Sequence, residues 1–132
     1  MQPHRPYSPT ILVVDDSWTD LAIIAAPLYE NGYNIITASD GEEAVEKAQL
    51  SHPQCIVLDV VLPKQSGFQV CRKLKRLEDC RQIPIILLST KSTQQDRQWG
   101  MQQGASVYLT KPFKSDELLA SVRSLIGGYF NG

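Results

Sequence analysis

The sequence predicts an α/β protein of the doubly wound kind, an open parallel sheet with helices on both faces. Three observations carry this. Short apolar runs alternate with longer segments in which apolar residues recur every three or four positions. The runs at 11–14, 55–58 and 85–88 contain no polar side chain beyond a cysteine, so strands there must be buried on both faces. Polar residues gather where these runs end. Five strands alternating with five helices, joined by right-handed crossovers, leave few topologies other than such a sheet.

Residues 1–9 hold three prolines and no periodicity, and read as a flexible tail. The first strand follows at 11–14. Residues 18–30 carry Leu21, Ile24, Ala25 and Leu28 on one helical face, with Ser17 or Asp16 to cap it and Asn31-Gly32 to stop it. Pro27 lies inside this helix and should kink it or loosen one backbone bond. Residues 33–38 form a second strand, and 42–50 a helix that buries Ala44, Val45 and Ala48. The third strand spans 54–60. After Pro63 and Gly67, residues 68–77 place Val70, Cys71, Leu74 and Leu77 on one side and basic residues on the other. The fourth strand, 84–88, is entered through Pro84, which a first strand position tolerates. Residues 94–103 form a polar helix with a weak apolar pattern, ended by Gly104; its Trp99 either packs on the fifth strand or meets a partner. The fifth strand is 107–109. Ser115 caps a last helix that runs through Ile126 and stops at Gly127-Gly128.

The 132 residues suffice for one domain with its own core, and 42% hydrophobic and 20% charged residues fit a globular chain. Thirteen Lys+Arg against fourteen Asp+Glu exclude a nucleic-acid or membrane-surface binder held by bulk charge. No apolar run approaches the roughly 20 residues of a membrane span, and the amino terminus lacks the apolar core of a secretory signal. Cys55, Cys71 and Cys80 are an odd set without metal spacing, and His4 and His52 stand apart from them. Free, buried or semi-buried thiols in a reducing cytoplasm are the expectation.

The strand ends carry the chemistry. Strand one runs into Asp15-Asp16, strand three into Asp59, strand four into Ser89-Thr90 and strand five into Thr110-Lys111-Pro112. Open parallel sheets bind ligands at the carboxyl ends of their strands, where the strand order reverses. In the order 2-1-3-4-5 that point lies between strands one and three, and Asp15, Asp16 and Asp59 would crowd there beside Ser89 and Lys111. Each carboxylate pair at 4 Å costs about 4 kcal/mol at an effective dielectric of 20. Lys111 supplies one positive charge, and a divalent ion would bring the local sum to zero. Hard oxygen ligands with room for water suit Mg²⁺. A carboxylate surrounded by a hydroxyl, an ammonium and a metal is a phosphoryl-binding constellation. Taken singly, Asp15 or Asp16 could merely cap the first helix, and Lys111 could be a solvated loop residue.

These same segments, Ile11-Leu12-Val13-Val14-Asp15-Asp16-Ser17, Val57-Leu58-Asp59-Val60-Val61-Leu62-Pro63 with Gly67-Phe68, Ile85-Ile86-Leu87-Leu88-Ser89-Thr90 and 104–113, resemble the receiver domain of two-component response regulators. The resemblance covers about residues 10–126. It implies the flavodoxin-like order 2-1-3-4-5, a receiver domain over 10–127 and a short carboxyl-terminal tail at 128–132. It also implies that Asp59 takes a phosphoryl group from a histidine kinase or phosphotransfer protein. Asp16, Asp59 and the backbone carbonyl of Val61 would then bind Mg²⁺, with Asp15 acting through water. Ser89 matches the switch hydroxyl, Lys111 the phosphate-binding lysine and Tyr108 the aromatic switch residue whose ring turns inward. Lys111-Pro112 matches a cis peptide bond.

One departure is Thr90, bulkier than the Ala or Gly usual after the switch hydroxyl, which narrows access to Asp59 and makes Thr90 a rival to Ser89. With apolar Val61 two residues past the acceptor, it points to a long-lived phosphoryl state. The readout surface would be the fourth helix, fifth strand and fifth helix, presented to a protein partner, not to nucleic acid or membrane, by a monomer or a phosphorylation-linked dimer. Because the chain stops soon after Gly128, a stand-alone, cytoplasmic, non-enzymatic receiver is the expectation. Residues 87–100 are also similar to receivers of chemotaxis-like systems that control type IV pilus motility. The competing reading is a receiver fold used as a phosphorylation-independent scaffold. A dehalogenase-type phosphatase lacks its second Asp at position 61, a flavin site lacks its phosphate loop, and no dinucleotide or P-loop motif is present.

Overall fold

A computed structural model describes residues 8–126. The expected tail segments 1–7 and 128–132, and the Gly127-Gly128 stop, lie outside the described residues. The elements alternate as β1 (Thr10–Val14), α1 (Trp18–Glu30), β2 (Asn34–Ala38), α2 (Gly41–Ser51), β3 (Cys55–Asp59), α3 (Gly67–Arg76), β4 (Ile85–Ser89), α4 (Gln94–Gln102), β5 (Val107–Thr110) and α5 (Ser115–Ile126). All five strands are parallel in the order β2-β1-β3-β4-β5, as the resemblance implied.

The pleat divides the core in two. Leu12, Val14, Ile56, Leu58, Ile85 and Leu87 face α2 and α3, where Ala44, Ala48, Val70, Cys71 and Leu74 meet them. Their neighbours Ile11, Val13, Val57, Ile86 and Leu88 face α1 and α5, against Ile24, Leu28, Leu118 and Val122. Each fully buried Val, Leu or Ile contributes on the order of 1.5–3 kcal/mol, so the central strands are the rigid part of the molecule. Cys55, Cys71 and Cys80 are buried and free. Among the described residues no helix is long and apolar enough to cross a membrane.

Local chemistry sets the helix ends. Ser17 caps α1, accepting from the Asp20 N–H at 3.2 Å. At the other end Gly32 takes φ 94°, and Tyr33 N–H and Gly32 N–H donate to the carbonyls of Leu28 and Tyr29. Gly104 (φ 107°) closes α4 in the same way, onto Met101 and Gly100. The α1 helix runs through Pro27, whose carbonyl accepts from the Asn31 side chain at 2.7 Å. Ser115, expected as a cap, is instead the first residue of α5. The capping place falls to Lys114, whose N–H donates to Glu117 Oε1. Ser8 and Pro9, the last residues of the expected tail, are buried, and their carbonyls accept from Asn34.

Register brings the functional residues level. Val14 pairs with Leu58, Asp59 with Leu88, and Ser89 with Thr110. Asp15 and Asp59 therefore stand side by side at the carboxyl edge of the sheet, with Ser89 and Thr110 paired one residue further along. The α3 amino terminus closes over this edge at Gly67, where an added Cβ would stand 2.2 Å from the Asp59 carbonyl oxygen and 2.8 Å from Val60 Cα. Gly67→Ala should therefore destabilise the fold by about 2 kcal/mol, since backbone cannot give way as a side chain does. Urea unfolding would show it as a lower midpoint at unchanged slope; an unaltered midpoint would refute the close approach.

Candidate functional site

The turn after β1 fixes the first carboxylates. Asp15 is buried (1% exposed), because its Oδ1 accepts from the Ser17 N–H at 3.0 Å while its backbone N–H bonds the Ala38 carbonyl. Asp16, next along, faces solvent. Asp59, at the last position of β3, is 6% exposed. Asp15, Asp16 and Asp59 each offer an oxygen, and these lie within 4.8 Å of one another.

Lys111, just past β5, reaches back across the sheet end. Its Nζ lies 2.9 Å from Asp15 Oδ2, 3.0 Å from Asp20 Oδ2 and 3.6 Å from Asp59 Oδ1. Burial works to lower the Lys111 ammonium, but the hydrogen bonds to Asp15 and Asp20 and the charges of Asp59 and Asp15 outweigh it and hold the group above its usual range. The peptide bond that follows, Lys111–Pro112, is cis.

Asp59 responds in the opposite sense. Burial pushes its carboxyl from 3.8 up to about 6, against the pull of Lys111 and with the charges of Asp15 and Asp16 adding to the rise. The Val61 N–H donates to Asp59 Oδ1 at 3.4 Å, and this long bond lowers it only in part. Asp59 is a carboxylate whose own surroundings resist its charge.

The hydroxyls separate. Ser89 is fully buried, and its Oγ accepts from the Lys91 N–H at 3.0 Å. Thr90 is exposed and lines the cleft of about 250 Å³ that also borders Asp15, Asp16, Asp59, Val61 and Lys111. Tyr108 is 8% exposed. Its ring stacks on Phe68 at 6.5 Å, Arg97 lies 5.8 Å from its centroid, and its hydroxyl donates to the Lys91 carbonyl at 2.5 Å. Lys91 is thus held from both ends, by Ser89 and by Tyr108. Trp99 on α4 is 49% exposed.

Asp20 is a member of the site that sequence reasoning missed. In the sequence Ser17-x-x-Asp20 looks like a helix-capping pair, which masks it. Its presence also corrects the charge sum: four carboxylates and one ammonium line the same cleft, so a divalent ion leaves about one negative charge, not zero. The available signal was position, since Asp20 lies one helical turn beyond Asp16.

The donor set fits a hard divalent cation. Three carboxylate oxygens converge within one ion's reach, with no imidazole or thiolate among them, beside a cleft roomy enough for several waters. The cysteines take no part: burial pushes the Cys55 thiol up to about 12 and Cys71 up to about 11, so both stay protonated.

The unfolded chain ionises Asp59 near 3.9 and the folded chain near 6. The Asp59 contribution to stability therefore falls as pH rises through that interval and is lowest above it, in metal-free buffer. Asp59→Asn removes the penalty. At pH 7 without divalent ions it should raise the thermal midpoint by on the order of 3–5 °C, and the gain should vanish below about pH 4. A midpoint unchanged or lowered at pH 7 would contradict the strained carboxylate.

Known proteins bear on this geometry. The model for the response regulator receiver domain matches residues 11–123. The chain is 36% identical over 118 residues to Protein PilH of Pseudomonas aeruginosa, covering 89% of this chain and 98% of that protein. It is 42% identical over 116 residues to the alkaline phosphatase synthesis transcriptional regulatory protein PhoP of Bacillus subtilis. There it covers 88% of this chain but spans only 48% of the relative. Among solved structures, the receiver domain of the sensor histidine kinase PA1611 from Pseudomonas aeruginosa superposes with a TM-score of 0.84 at 34% identity, covering 91% of this chain and 98% of that one. That structure holds a magnesium ion coordinated in its active site cleft. A family match over most of the chain, joined to the sheet order and the acidic sheet edge, means that this protein belongs to the response regulator receiver domain family of two-component signalling.

Proposed function

We propose that the receiver unit, residues 10–127, accepts a phosphoryl group on Asp59 and passes the signal on by protein contact. The observation that carries this reading is the convergence of Asp15, Asp16 and Asp59 within 4.8 Å, with the Lys111 ammonium among them. Asp16, Asp59 and the Val61 carbonyl would hold Mg²⁺, with Asp15 acting through water. When bound, the ion neutralises charge on the carboxylates and on the incoming phosphoryl oxygens.

An Asp59 oxygen attacks phosphorus, the bond to the donor's nitrogen or oxygen breaks, and the donor leaves with its electron pair. Asp15 orients Lys111, which pairs with the transferred group. The Ser89 hydroxyl turns from Lys91 towards a phosphoryl oxygen. The Lys91 N–H thereby loses its acceptor, and Tyr108, which holds the Lys91 carbonyl, couples the loop to α4. By the family resemblance, the signalling state would hold the Tyr108 ring inward, the buried position it takes here. A local charge change thus shifts α4, β5 and α5, with half-exposed Trp99 on the readout side. The donor is a histidine kinase or phosphotransfer protein. Likeness to PilH over nearly its whole length supports a stand-alone regulator in chemotaxis-like or pilus motility control.

Incubation with acetyl phosphate and Mg²⁺, followed by intact mass measurement, should add one phosphoryl group. Asp59→Asn or a chelator should abolish the gain, and a gain that survives Asp59→Asn would overturn the assignment. Thr90 and Val61 line the approach to Asp59, Thr90 by narrowing it and apolar Val61 by offering no polar group to orient an attacking water. The phosphoryl state should therefore last minutes or longer at room temperature, and Thr90→Ala should shorten it several-fold. Loss within seconds in the wild type would contradict this role.

A further inference from the structure

We propose that Asp20 is a positioning residue: it draws the Lys111 ammonium away from Asp59 and makes the site depend more steeply on the divalent cation. The inference rests on the phosphoacceptor reading and adds a regulatory carboxylate to it. Lys111 Nζ gives close contacts to Asp15 Oδ2 (2.9 Å) and Asp20 Oδ2 (3.0 Å), whereas Asp59 Oδ1 stands at 3.6 Å, beyond direct hydrogen bonding. Two of the ammonium's three protons are thereby spent on flanking groups, and the acceptor receives only charge at a distance.

The helix start explains why Asp20 is available. At four helix starts the acidic or amide side chain of the first turn folds back to a backbone N–H: Glu43 to Ser39, Gln69 to Ser66, Asp96 to Thr93 and Glu117 to Lys114. In α1 the Ser17 N–H is already taken by Asp15 Oδ1. Asp20 has no such donor to fold onto, and its carboxylate turns to Lys111 instead. The buried Asp15 thus frees the half-exposed Asp20 for this second task.

Two effects follow, of opposite sign. A fourth carboxylate strengthens attraction for a divalent cation, and it competes with the phosphoryl group for Lys111. Neutralising it should weaken Mg²⁺ and speed phosphoryl uptake once Mg²⁺ saturates, a split that a merely structural residue would not give. Calorimetric titration of the full, unphosphorylated chain with Mg²⁺ should show roughly fivefold weaker binding for Asp20→Asn than for wild type. Acetyl phosphate labelling at saturating Mg²⁺ should run about threefold faster. Asp20→Glu, which keeps the charge, should restore both values and controls for folding. Unchanged Mg²⁺ affinity in Asp20→Asn, or labelling that slows along with it, would overturn the proposal. A wild-type chain that binds Mg²⁺ but takes up no phosphoryl group would instead overturn the phosphoacceptor reading, and the calorimetric comparison would still decide the role of Asp20 in cation binding.

Discussion

Four carboxylates crowded into one cleft with a single ammonium are the constraint on which the rest of the structure turns. Oxygens of Asp15, Asp16 and Asp59 stand within 4.8 Å of each other, and at that spacing each like-charge pair costs about 3–4 kcal/mol at an effective dielectric of 20. Lys111 offsets part of this and cannot offset all of it. The site is therefore poised to take up positive charge, and an oxygen made reactive by poor neutralisation is available when that charge arrives.

Such crowding persists because the sheet over-determines it. Asp59 belongs to the register of β3, and Asp15 follows directly from β1; both strands are buried on both faces. Relaxing the repulsion would mean shearing strands whose side chains fill two separate cores. Gly67 adds a second restraint by bringing the α3 backbone against the Asp59 carbonyl. The rigid scaffold stores the electrostatic strain, while the polar, thinly packed α4 beside β5 supplies the element free to move.

Much of this was legible in the sequence because the signals were local and repeated. Solid apolar runs such as Ile85-Ile86-Leu87-Leu88 marked double-faced strands, and helix bounds came within one or two residues because caps such as Ser17 and Gly32 are read directly from residue type. The meeting of Asp15 with Asp59 followed from polar residues placed at strand ends. Asp20 was not legible: its capping-box appearance is resolved only by knowing that Asp15 already occupies the Ser17 N–H. Ser115 misled for a related reason, since Glu117 serves Lys114 and shifts the helix start by one residue. The separation of Ser89 from Thr90, one sealed in the sheet edge and the other lining the cleft, depended on strand pleat at a single residue, which composition does not set.

In the proposed signalling, the link from charge to signal would pass through Lys91, gripped at its N–H by Ser89 and at its carbonyl by Tyr108. On that proposal, a demand for the serine hydroxyl at Asp59 would reach α4 through one backbone unit, with no long relay. The most direct test of the central electrostatic claim is the titration of the Asp59 carboxyl carbon by NMR, with and without Mg²⁺. The account predicts a midpoint near 6 in metal-free buffer, falling below the ordinary 3.8 when the ion saturates. A midpoint near 3.8 that ignores Mg²⁺ would contradict it.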